Sequence, residues 1–358
     1  MTGKPEVSVV IPVHNAARTL RACLESVFEN EGVAYEVVVV DDASTDDSIA
    51  IALEFPCTIL VLGHSIRAAN CRNLGATHAR GDVLLFFDAD QIMPPDTVGG
   101  LWQALHDDPD VVAAVASLAP DTPEPGFFSQ FKNFRHHYVH QQADAEGMTL
   151  ASGLTAIRRS VFEGYGGFEP AYGPSSIEDV ALGYRLARDG RRILFRPDVQ
   201  VTHLKGYTFR SLLVSEIRDR AIPWTALLLR DRMWRNDLNI GVSNSASVGF
   251  AGAGFAALVG LRGWPRAVVP ASATAAIWLL NCDLLEAMAR RYGPAFLAKA
   301  LAFLPVMYLY QGLGFVAGIV AHATGRGLHG GSGPTEAPHR VLAGRGLETR
   351  NAESGSAR

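Results

Sequence analysis

Three acidic clusters in the first half of the chain have the residue types and spacing to do chemistry. The first two follow short apolar runs with the composition of buried strands, and the third opens a predicted helix. The clusters are Asp41-Asp42, Asp88-Ala89-Asp90 and Glu178-Asp179. In an open parallel sheet, ligands bind beyond the carboxyl ends of the strands. Carboxylates gathered there repel one another unless a cation lies among them, so a divalent metal ion and a phosphorylated substrate are predicted.

The segments that must position these clusters alternate between two patterns. Short β-branched runs predict strands, which are Val7–Val13, Glu36–Val40, Thr58–Leu62, Asp82–Phe87 and Arg192–Val201. Helical spacing and cap residues predict the intervening helices, which are Ala17–Glu29, a helix that follows Ser44-Thr45-Asp46-Asp47 and ends at Phe55, Arg67–Ala79 and Ile177–Asp189. This β-α-β-α order predicts an α/β fold with a doubly wound, mostly parallel sheet.

The overall composition narrows the partners and the compartment. The chain has 358 residues and a formal net charge of -4, which gives no electrostatic argument for nucleic acid. Its four cysteines have neither paired metal spacing nor the density of a disulfide scaffold, so reduced thiols are expected. The start of the chain is polar, and Val7–Val13 is too short for the apolar part of a secretory signal. A catalytic half in the cytoplasm is therefore expected.

The second half of the chain is apolar. Ile240–Leu261 contains no charged residue over 22 positions, Ala267–Cys282 contains none over 16, and Ala300–Thr324 is uncharged apart from His322. Because about 20 apolar residues cross a bilayer, two or three transmembrane helices are predicted within residues 240–325. Three crossings would place the tail opposite the enzyme, whereas a re-entrant second segment would keep both on one side.

The segments before and after the apolar region, and the glycines within it, give further predictions. Arg210–Arg235 interleaves arginines with Leu and Trp, so residues 216–239 are expected to form a basic amphipathic segment at the membrane interface, with a helix packed on the catalytic domain as the alternative. Glycines recur in the apolar segments, which favours close helix packing. They are Gly249, Gly252, Gly254, Gly312, Gly314 and Gly318. Residues 326–358 are predicted to be a disordered tail.

Three histidines between Phe127 and His140 raise the possibility of a metal site. They are His136, His137 and His140. No cysteine or carboxylate joins them at ligand spacing, so an exposed amphipathic helix is the favoured interpretation.

Four motifs, in their order and spacing, resemble those of the family 2 glycosyltransferases with a GT-A fold. They are Val9-Val10-Ile11-Pro12-Val13-His14-Asn15, Val40-Asp41-Asp42-Ala43-Ser44-Thr45-Asp46, Asp88-Ala89-Asp90 and Glu178-Asp179-Val180-Ala181-Leu182-Gly183-Tyr184-Arg185. The resemblance covers roughly residues 5–215. It implies a GT-A-type catalytic domain over residues 1–215, followed by an all-α membrane region.

The resemblance implies a nucleotide-sugar donor. Asp42 matches the carboxylate that hydrogen-bonds the base, and Pro12, Val13 and Asn15 line the same pocket in the family. A carboxylate acceptor suits the imide N–H of uracil or the donor edge of guanine, and a UDP-sugar is favoured. Relatives bring a basic residue near the donor after the third strand, with a solvated helix face as the alternative. The candidates here are Arg67 and Arg72.

The resemblance also implies a metal ion. Asp88 and Asp90 match the D-x-D motif, whose hard oxygen ligands favour Mg²⁺ or Mn²⁺ bridging the diphosphate. Asp90 is the expected direct ligand, and Asp88 contacts the ion, the ribose or the donor sugar. His203 follows the last predicted strand, where some relatives place a further metal or diphosphate ligand.

A catalytic base completes the implied site. Asp179 matches the carboxylate that takes the proton of the acceptor hydroxyl, and Glu178 orients the acceptor or braces the loop. Attack from the face opposite the nucleotide inverts the anomeric centre. An ordinary helix-capping role is the alternative for both residues.

Two departures from family patterns narrow the acceptor. Processive polysaccharide synthases carry Gln-x-x-Arg-Trp beyond the base, but this chain has Arg220-Ala221-Ile222-Pro223-Trp224, which disfavours a processive synthase. Polyprenyl-phosphate sugar transferases generally lack the Glu-Asp base motif, so its presence favours a hydroxyl acceptor.

The sequence therefore predicts a membrane-anchored, metal-dependent, inverting glycosyltransferase. It would move one sugar onto a hydroxyl of a lipid or lipid-linked glycan during envelope assembly, from a multi-pass position in the cytoplasmic membrane with the catalytic domain facing the cytoplasm. The alternatives are a polyprenyl-phosphate glycosyltransferase and a catalytically silent subunit that binds nucleotide sugar or scaffolds a membrane complex. A nucleotidyltransferase is disfavoured, because no Gly-rich phosphate loop bearing Lys or Arg follows the first strand.

Overall fold

The computed structural model describes residues 4–143, 146–147, 149–169, 177–231, 241–325 and 337–346. Within these residues, the strands are β1 (Val7–Val13), β2 (Tyr35–Asp41), β3 (Thr58–Leu62), β4 (Val83–Phe87), β5 (Gln91–Ile92), β6 (Val111–Leu118), β7 (Glu146–Gly147), β8 (Leu154–Arg158), β9 (Arg192–His203) and β10 (His339–Ala343).

The α-helices of the same residues are α1 (Leu20–Phe28), α2 (Ser48–Ala52), α3 (Arg67–His78), α4 (Thr97–Asp107), α5 (Phe127–Gln141), α6 (Arg159–Gly164), α7 (Glu178–Arg188), α8 (Phe209–Val214), α9 (Ile222–Asp231), α10 (Val242–Gly260), α11 (Pro265–Leu280), α12 (Cys282–Tyr292) and α13 (Pro294–Ala323). A π-helix, Ser215–Ala221, connects α8 to α9.

One mixed sheet organises the N-terminal half, which is the predicted catalytic domain. Its strand order is β10-β3-β2-β1-β4-β8-β6-β9-β5, and β7 pairs with β9. Strands β3, β2, β1 and β4 are mutually parallel, whereas β8 runs antiparallel to both β4 and β6. The carboxyl ends of β1, β2 and β4 therefore lie at one edge. The predicted α/β fold with a mostly parallel sheet is confirmed.

The central strands are apolar because both faces of the sheet are covered. Val9 of β1 lies in a cluster with Leu24 of α1 on one face. Its neighbour Val10 lies in a second cluster on the other face, with Leu182 of α7. Strands buried in this way show continuous apolar runs rather than alternation.

Most predicted elements lie within one or two residues of the observed ones. The predicted strand Thr58–Leu62 coincides with β3. The helix predicted to end at Phe55 ends at Ala52 instead, because the chain turns ahead of Pro56 to enter β3. Helix α4 and strand β6 have no counterpart in the predicted set.

The prediction of a disordered tail is wrong for part of residues 326–358. Strand β10 pairs antiparallel with β3, with Leu342 opposite Ile59. Leu342 packs against the core of the sheet, and the outer edge of β3 offers backbone hydrogen bonds that a disordered tail would leave unused. Residues 326–336 and 347–358 lie outside the described residues.

The segment expected at the membrane interface packs on the catalytic domain instead. Trp224 of α9 is buried, and its indole Nε1–H donates to the Tyr184 hydroxyl of α7 at 3.2 Å. Leu227 lies in the same cluster, together with Ile177. The alternative of a packed helix therefore holds for residues 216–231, while 232–239 lie outside the described residues.

Helix α5 is also not the exposed helix that the histidine spacing predicts. Phe131 and Phe134 are buried against the C-terminal helices, in a cluster that contains Phe303 and Leu304 of α13. His136 and His140 face the protein interior rather than solvent, because α5 lies between the sheet and the C-terminal helices.

The C-terminal helices include candidates for membrane spans. Helices α10 and α13 are long and apolar enough to cross a bilayer, and α11 with α12 would form a third candidate but is bent by 72° between them. Helices α10 and α11 form a hairpin, whose base holds a hydrogen bond from Asn281 to Ser247. The Tyr308 hydroxyl of α13 donates to Asn281 at 2.7 Å.

Two of the recurring glycines allow α13 to approach the catalytic domain. A Cβ at Gly314 would lie 2.7 Å from Ala221 Cβ, and a Cβ at Gly318 would lie 2.5 Å from Thr225 Cβ. At these two positions the close packing joins α13 to the π-helix and α9.

The expected packing between apolar helices occurs at Gly254, where a Cβ would lie 3.2 Å from Ala273 Cβ of α11, and at Gly312, where a Cβ would lie 3.1 Å from Val248 Cγ1 of α10. By contrast, a Cβ at Gly249 or Gly252 would meet no atom within 4 Å.

We expect Gly318→Ala to lower the melting temperature of the full chain in detergent. The added Cβ must displace Thr225 or the Ile222 carbonyl, and overpacking of this kind costs about 1–3 kcal/mol. The control is Gly252→Ala, which adds a methyl group in open space and gains about 1 kcal/mol of helix propensity. A Gly318→Ala protein as stable as the Gly252→Ala control would contradict this packing.

Candidate active site

Two cavities meet at the carboxyl edge of the sheet. The first, of about 390 Å³, is called the β1 cavity, and Pro12, Asp42 and Asp90 line it. The second, of about 260 Å³, is called the α5 cavity, and His136 of α5 and Asp179 of α7 line it. Asp88 and Lys205 line both cavities, so the two spaces adjoin at these residues.

The structure brings most of the predicted site residues to these cavities. Those that line the β1 cavity are Pro12, Val13, Asn15, Asp42, Asp88 and Asp90. Those that line the α5 cavity are Asp88, Asp179 and His203. Arg67 is exposed and Glu178 is buried behind Asp179, so neither lines a cavity wall.

The loops around the β1 cavity hold strained backbone. Asn15, Ala43 and Arg67 have φ values of 50°, 58° and 73°, and within the described residues they are the non-glycine positions with positive φ. Such conformations cost free energy and cluster at ligand sites. Hydrogen bonds hold them in place, including one from the Thr45 backbone N–H to Asn15 Oδ1 at 2.8 Å.

Asp42 organises one wall of the β1 cavity. Its Oδ1 accepts a hydrogen bond from the Ile66 N–H at 2.6 Å, and its Oδ2 accepts from the Ser65 hydroxyl and the Arg67 N–H. Each carboxylate oxygen can accept more than one hydrogen bond, so Asp42 retains capacity for a ligand donor. Arg67 thus supports the wall through its backbone N–H, which holds Asp42, and not through its basic side chain.

Asp90 and His203 offer the best fit for a divalent ion. Asp90 Oδ1 lies 3.5 Å from His203 Nε2, because β5 pairs with the end of β9. Although burial opposes the effect, the hydrogen bond to His203 lowers the pKa of Asp90, so the carboxylate is ionised. No cluster of three or more His, Cys, Asp or Glu ligands exists among the described residues. Mg²⁺ typically binds one or two carboxylates together with substrate phosphates, so these two donors suit an ion that the substrate helps to hold.

Asp88, the other half of the D-x-D motif, has a different partner. Its Oδ1 accepts a hydrogen bond from Arg72 Nη2 at 2.6 Å. A side chain at Gly153 would collide with Asp88, so glycine there lets the carboxylate approach the backbone. In this arrangement Asp88 belongs to an ion-pair network rather than to the Asp90 and His203 pair.

Arg72 connects the two cavities electrostatically. Its side chain is 5% exposed, and its Nη1 donates to Glu178 Oε1 at 2.7 Å while Nη2 holds Asp88. Glu178 is 2% exposed. The solvated helix face that was one alternative for Arg72 is therefore wrong, because α3 turns this residue into the protein between β4 and α7.

The candidate base is held by backbone groups. Asp179 Oδ2 accepts from the Ser152 N–H and Oδ1 from the Val180 N–H, both at 2.7 Å. Burial raises the pKa of Asp179 above its ordinary value despite these bonds. Burial likewise raises the pKa of Glu178 to about 7, against the opposing effect of Arg72. Carboxylates with raised pKa values take up protons readily, as a general base must.

Two groups of residues in these walls were not predicted as site residues from the sequence. Lys205 lies two positions after His203, which is a spacing that could have identified it. Lys132, Glu216 and Arg220 reach the α5 cavity only because α5 and the π-helix pack together. The sequence gives no local signal for that contact.

We expect Arg72→Met to lower the free energy of unfolding by about 3–5 kcal/mol, since it leaves the buried Glu178 and the half-buried Asp88 without their cation. The matched control is a triple variant, Arg72→Met with Asp88→Asn and Glu178→Gln, which removes the stranded charges and should regain part of the loss. Denaturant unfolding in detergent measures both. If the single and triple variants are equally stable, Arg72 does not compensate these charges.

Comparison with known proteins shows what the domain is similar to. Residues 8–166 match the family described as Glycosyl transferase family 2. An uncharacterized glycosyltransferase of Haemophilus influenzae is 25% identical over 57% of this chain and 70% of its own length. An undecaprenyl-phosphate 4-deoxy-4-formamido-L-arabinose transferase of Sodalis glossinidius is 34% identical over 33% of this chain and 39% of its own length.

A solved structure has the same fold. A mannosyltransferase from Pyrobaculum calidifontis, in complex with GDP-Man and Mn²⁺, superposes with a TM-score of 0.51 at 22% identity, covering 90% of this chain and 88% of that one. At this identity the likeness concerns the fold. Residues 8–166 thus match the model of glycosyl transferase family 2, and the chain has a GT-A-type fold that is followed by apolar C-terminal helices.

Proposed function

We propose that the protein is a membrane-anchored, inverting glycosyltransferase that moves one sugar from a nucleotide-sugar donor to a hydroxyl of a lipid or lipid-linked glycan. The observation that carries this proposal is the meeting of the β1 and α5 cavities at Asp88 and Lys205. A donor in the first cavity and an acceptor in the second would present their reacting atoms to each other there.

The β1 cavity suits the nucleotide diphosphate. Asp42 and Asn15 line this cavity and would bind the base, with a UDP-sugar as the favoured donor. Asp90 and His203 would hold a Mg²⁺ or Mn²⁺ ion, which would neutralise charge on the diphosphate as it leaves. Lys205, near Asp88 and Asp90, supplies a cation to the same group.

The α5 cavity suits the acceptor. Its hydroxyl oxygen would attack the anomeric carbon while the bond from that carbon to the diphosphate oxygen breaks. Asp179 would accept the hydroxyl proton, because each of its oxygens has a second lone pair beyond the backbone bond that it already accepts. Glu178 would be a positioning residue. Arg72 pairs with both Glu178 and Asp88, so this network would fix the position of the base relative to the donor.

A polyprenyl-phosphate glycosyltransferase is the second candidate. It is supported by relatives that carry that activity in their names, at 34% and 32% identity over about a third of this chain. Mass analysis of the product formed with a short-chain polyprenyl phosphate distinguishes the two reactions.

We expect Asp179→Asn and Asp90→Asn each to reduce sugar transfer at least a hundredfold. Asp179→Asn removes the base, and general-base catalysis contributes about 10²–10⁴-fold. Asp90→Asn removes a carboxylate ligand of the ion that would neutralise the leaving diphosphate. The two should differ in binding: Asp179→Asn keeps wild-type affinity for the nucleoside diphosphate with Mn²⁺, and Asp90→Asn loses it. Asp107→Asn, an exposed carboxylate on α4, is the control. Near-normal turnover in either variant, measured with radiolabelled nucleotide sugars and native lipid, would remove the assigned role.

The membrane would be contacted by the α10–α11 hairpin and the outer face of α13. α13 packs on the catalytic half for much of its length, from Phe303 beside Phe127 to Gly318 beside Thr225. Its opposite face exposes Leu313 and Val316. A helix covered by the catalytic domain along one side is better placed at the membrane surface than across it.

The same contacts support an even number of crossings. The hairpin leaves the catalytic half and α12 returns to it, where Arg291 pairs with Asp121. Strand β10 lies in the catalytic sheet, so the tail is on the enzyme's side. With α10 and α11 about 28 Å and 24 Å long, the hairpin approaches the roughly 30 Å of a bilayer core. We therefore favour two crossings in the cytoplasmic membrane, with the catalytic domain and tail in the cytoplasm.

The variants Leu53→Cys and Val341→Cys are each made in a Cys282→Ser background, which removes the exposed native cysteine. We expect both to react with a membrane-impermeant maleimide only in inverted vesicles. Both positions are exposed, in the catalytic domain and β10 respectively. Trp264→Cys, at the exposed tip of the hairpin, should react only in spheroplasts. Labelling of Leu53→Cys and Val341→Cys from opposite sides would contradict an even number of crossings.

A further inference from the structure

The wall of the α5 cavity opposite Asp179 carries more positive than negative charge. Lys132 and Arg220 line the cavity, and the one carboxylate between them is Glu216. Lys132 Nζ lies 2.8 Å from Glu216 and 4.2 Å from the Tyr207 ring centre. Positive charges of Lys132, Arg220 and Arg135 hold the pKa of Glu216 at about 2 in spite of its burial. Three cations thus surround one carboxylate.

The histidines of this wall add no charge. Burial, reinforced by Arg220, lowers the pKa of His136 well below its ordinary value, and burial lowers that of His140 to about 4. Arg220 Nη1 donates to His136 Nε2 at 3.3 Å, which requires a neutral imidazole there. The imidazoles are therefore hydrogen-bonding groups, and the net charge of this cluster stays positive.

Arg220 is the cation with unused hydrogen-bonding capacity. Its guanidinium lies 5.1 Å from the Trp224 ring centre and forms the single bond to His136. Among the described residues, no carboxylate lies within ion-pairing distance of it. A half-buried guanidinium stacked on an aromatic ring, with free N–H groups, is the arrangement that proteins use to bind phosphate.

The backbone that carries Arg220 is unusual. Ser215–Ala221 forms a π-helix, which is rare and frequently marks functional sites. Its wider turn places Glu216 and Arg220 on the cavity side, whereas Arg218 pairs with Asp219 at the surface. Gly314 of α13 lets this helix lie in close contact with α13.

The same contact places the cluster near the proposed membrane surface. A small space between α5 and α13 is lined by Lys132 and Glu216 on one side and by Met307 and Tyr310 on the other. The opposite face of α13 exposes apolar side chains, among them Leu313 and Val316. The cluster therefore lies about one helix diameter, roughly 10 Å, from the proposed membrane surface.

We propose that Lys132 and Arg220 form an anion subsite for the phosphate group that links the acceptor to its lipid. This inference rests on the proposed function and names the acceptor class, a lipid-linked phosphate or diphosphate. A phosphate there would neutralise the excess positive charge of the cluster, while Asp179 on the other side of the cavity faces the acceptor hydroxyl.

Binding to the full chain in a neutral detergent tests the proposal without requiring turnover. The probes are dodecyl phosphate, dodecanol and inorganic phosphate, titrated by calorimetry. We expect dodecyl phosphate to bind at least tenfold more tightly than either of the other probes. It has both the phosphate group and the alkyl chain, whereas dodecanol lacks the phosphate and inorganic phosphate lacks the chain. Equal affinity for dodecanol would overturn the anion subsite, and equal affinity for inorganic phosphate would overturn its assignment to a lipid.

Variants test whether dodecyl phosphate binds at Lys132 and Arg220. Arg220→Gln keeps a donor for His136 but removes the charge, and Lys132→Met with Glu216→Gln removes an ion pair without stranding a carboxylate. Each should weaken dodecyl phosphate binding about tenfold, as expected for a charged hydrogen bond of about 1.5–3 kcal/mol, and leave dodecanol unchanged. The control is Arg218→Met, on the same π-helix but facing solvent.

An equal loss in the Arg218→Met control, or no loss in the two cavity variants, would overturn the assignment. Binding of UDP and GDP with Mn²⁺ is measured on the same samples. A wild-type protein that binds dodecyl phosphate but neither nucleotide would contradict the proposed function while leaving the anion subsite standing.

Discussion

A buried guanidinium fixes the β1 cavity and the α5 cavity of the candidate site relative to each other. Arg72 bridges Asp88, which follows β4, and Glu178, which opens α7. Arg72 and Glu178 are buried and Asp88 is half-buried, and burying charges is costly unless each finds a partner. The network is therefore stable only while α3, the end of β4 and the start of α7 keep their relative positions. Together with the backbone groups that hold Asp179, Arg72 fixes the candidate base relative to the β1 cavity.

The parts of the fold that repeat a local pattern could be predicted from the sequence. β1 and β4 are buried on both faces, and their continuous apolar runs reveal this without any tertiary information. The ends of parallel strands lie at one edge by necessity, so the acidic clusters at Asp42 and Asp90 could be placed together. The convergence of Asp179 on the same region depended on the family resemblance rather than on spacing.

The rest depends on contacts between distant segments, which composition does not encode. A basic, Trp-bearing helix has the same sequence pattern whether it lies on lipid or on protein, and Trp224 turned out to be buried against Tyr184. The histidine-rich α5 is amphipathic in either environment, but its apolar face meets α13. The Gly- and Ser-rich tail contains a short pairing segment whose partner, β3, lies almost 280 positions earlier.

The position of β10 bears on how the chain matures. β3 lies at the outside of the sheet until β10 pairs with it, and β10 is synthesised after every apolar helix. During synthesis, the apolar hairpin therefore emerges while one border of the sheet is still unpaired, and an unpaired border invites pairing with other chains. A chain that is truncated before residue 339 would keep that border exposed.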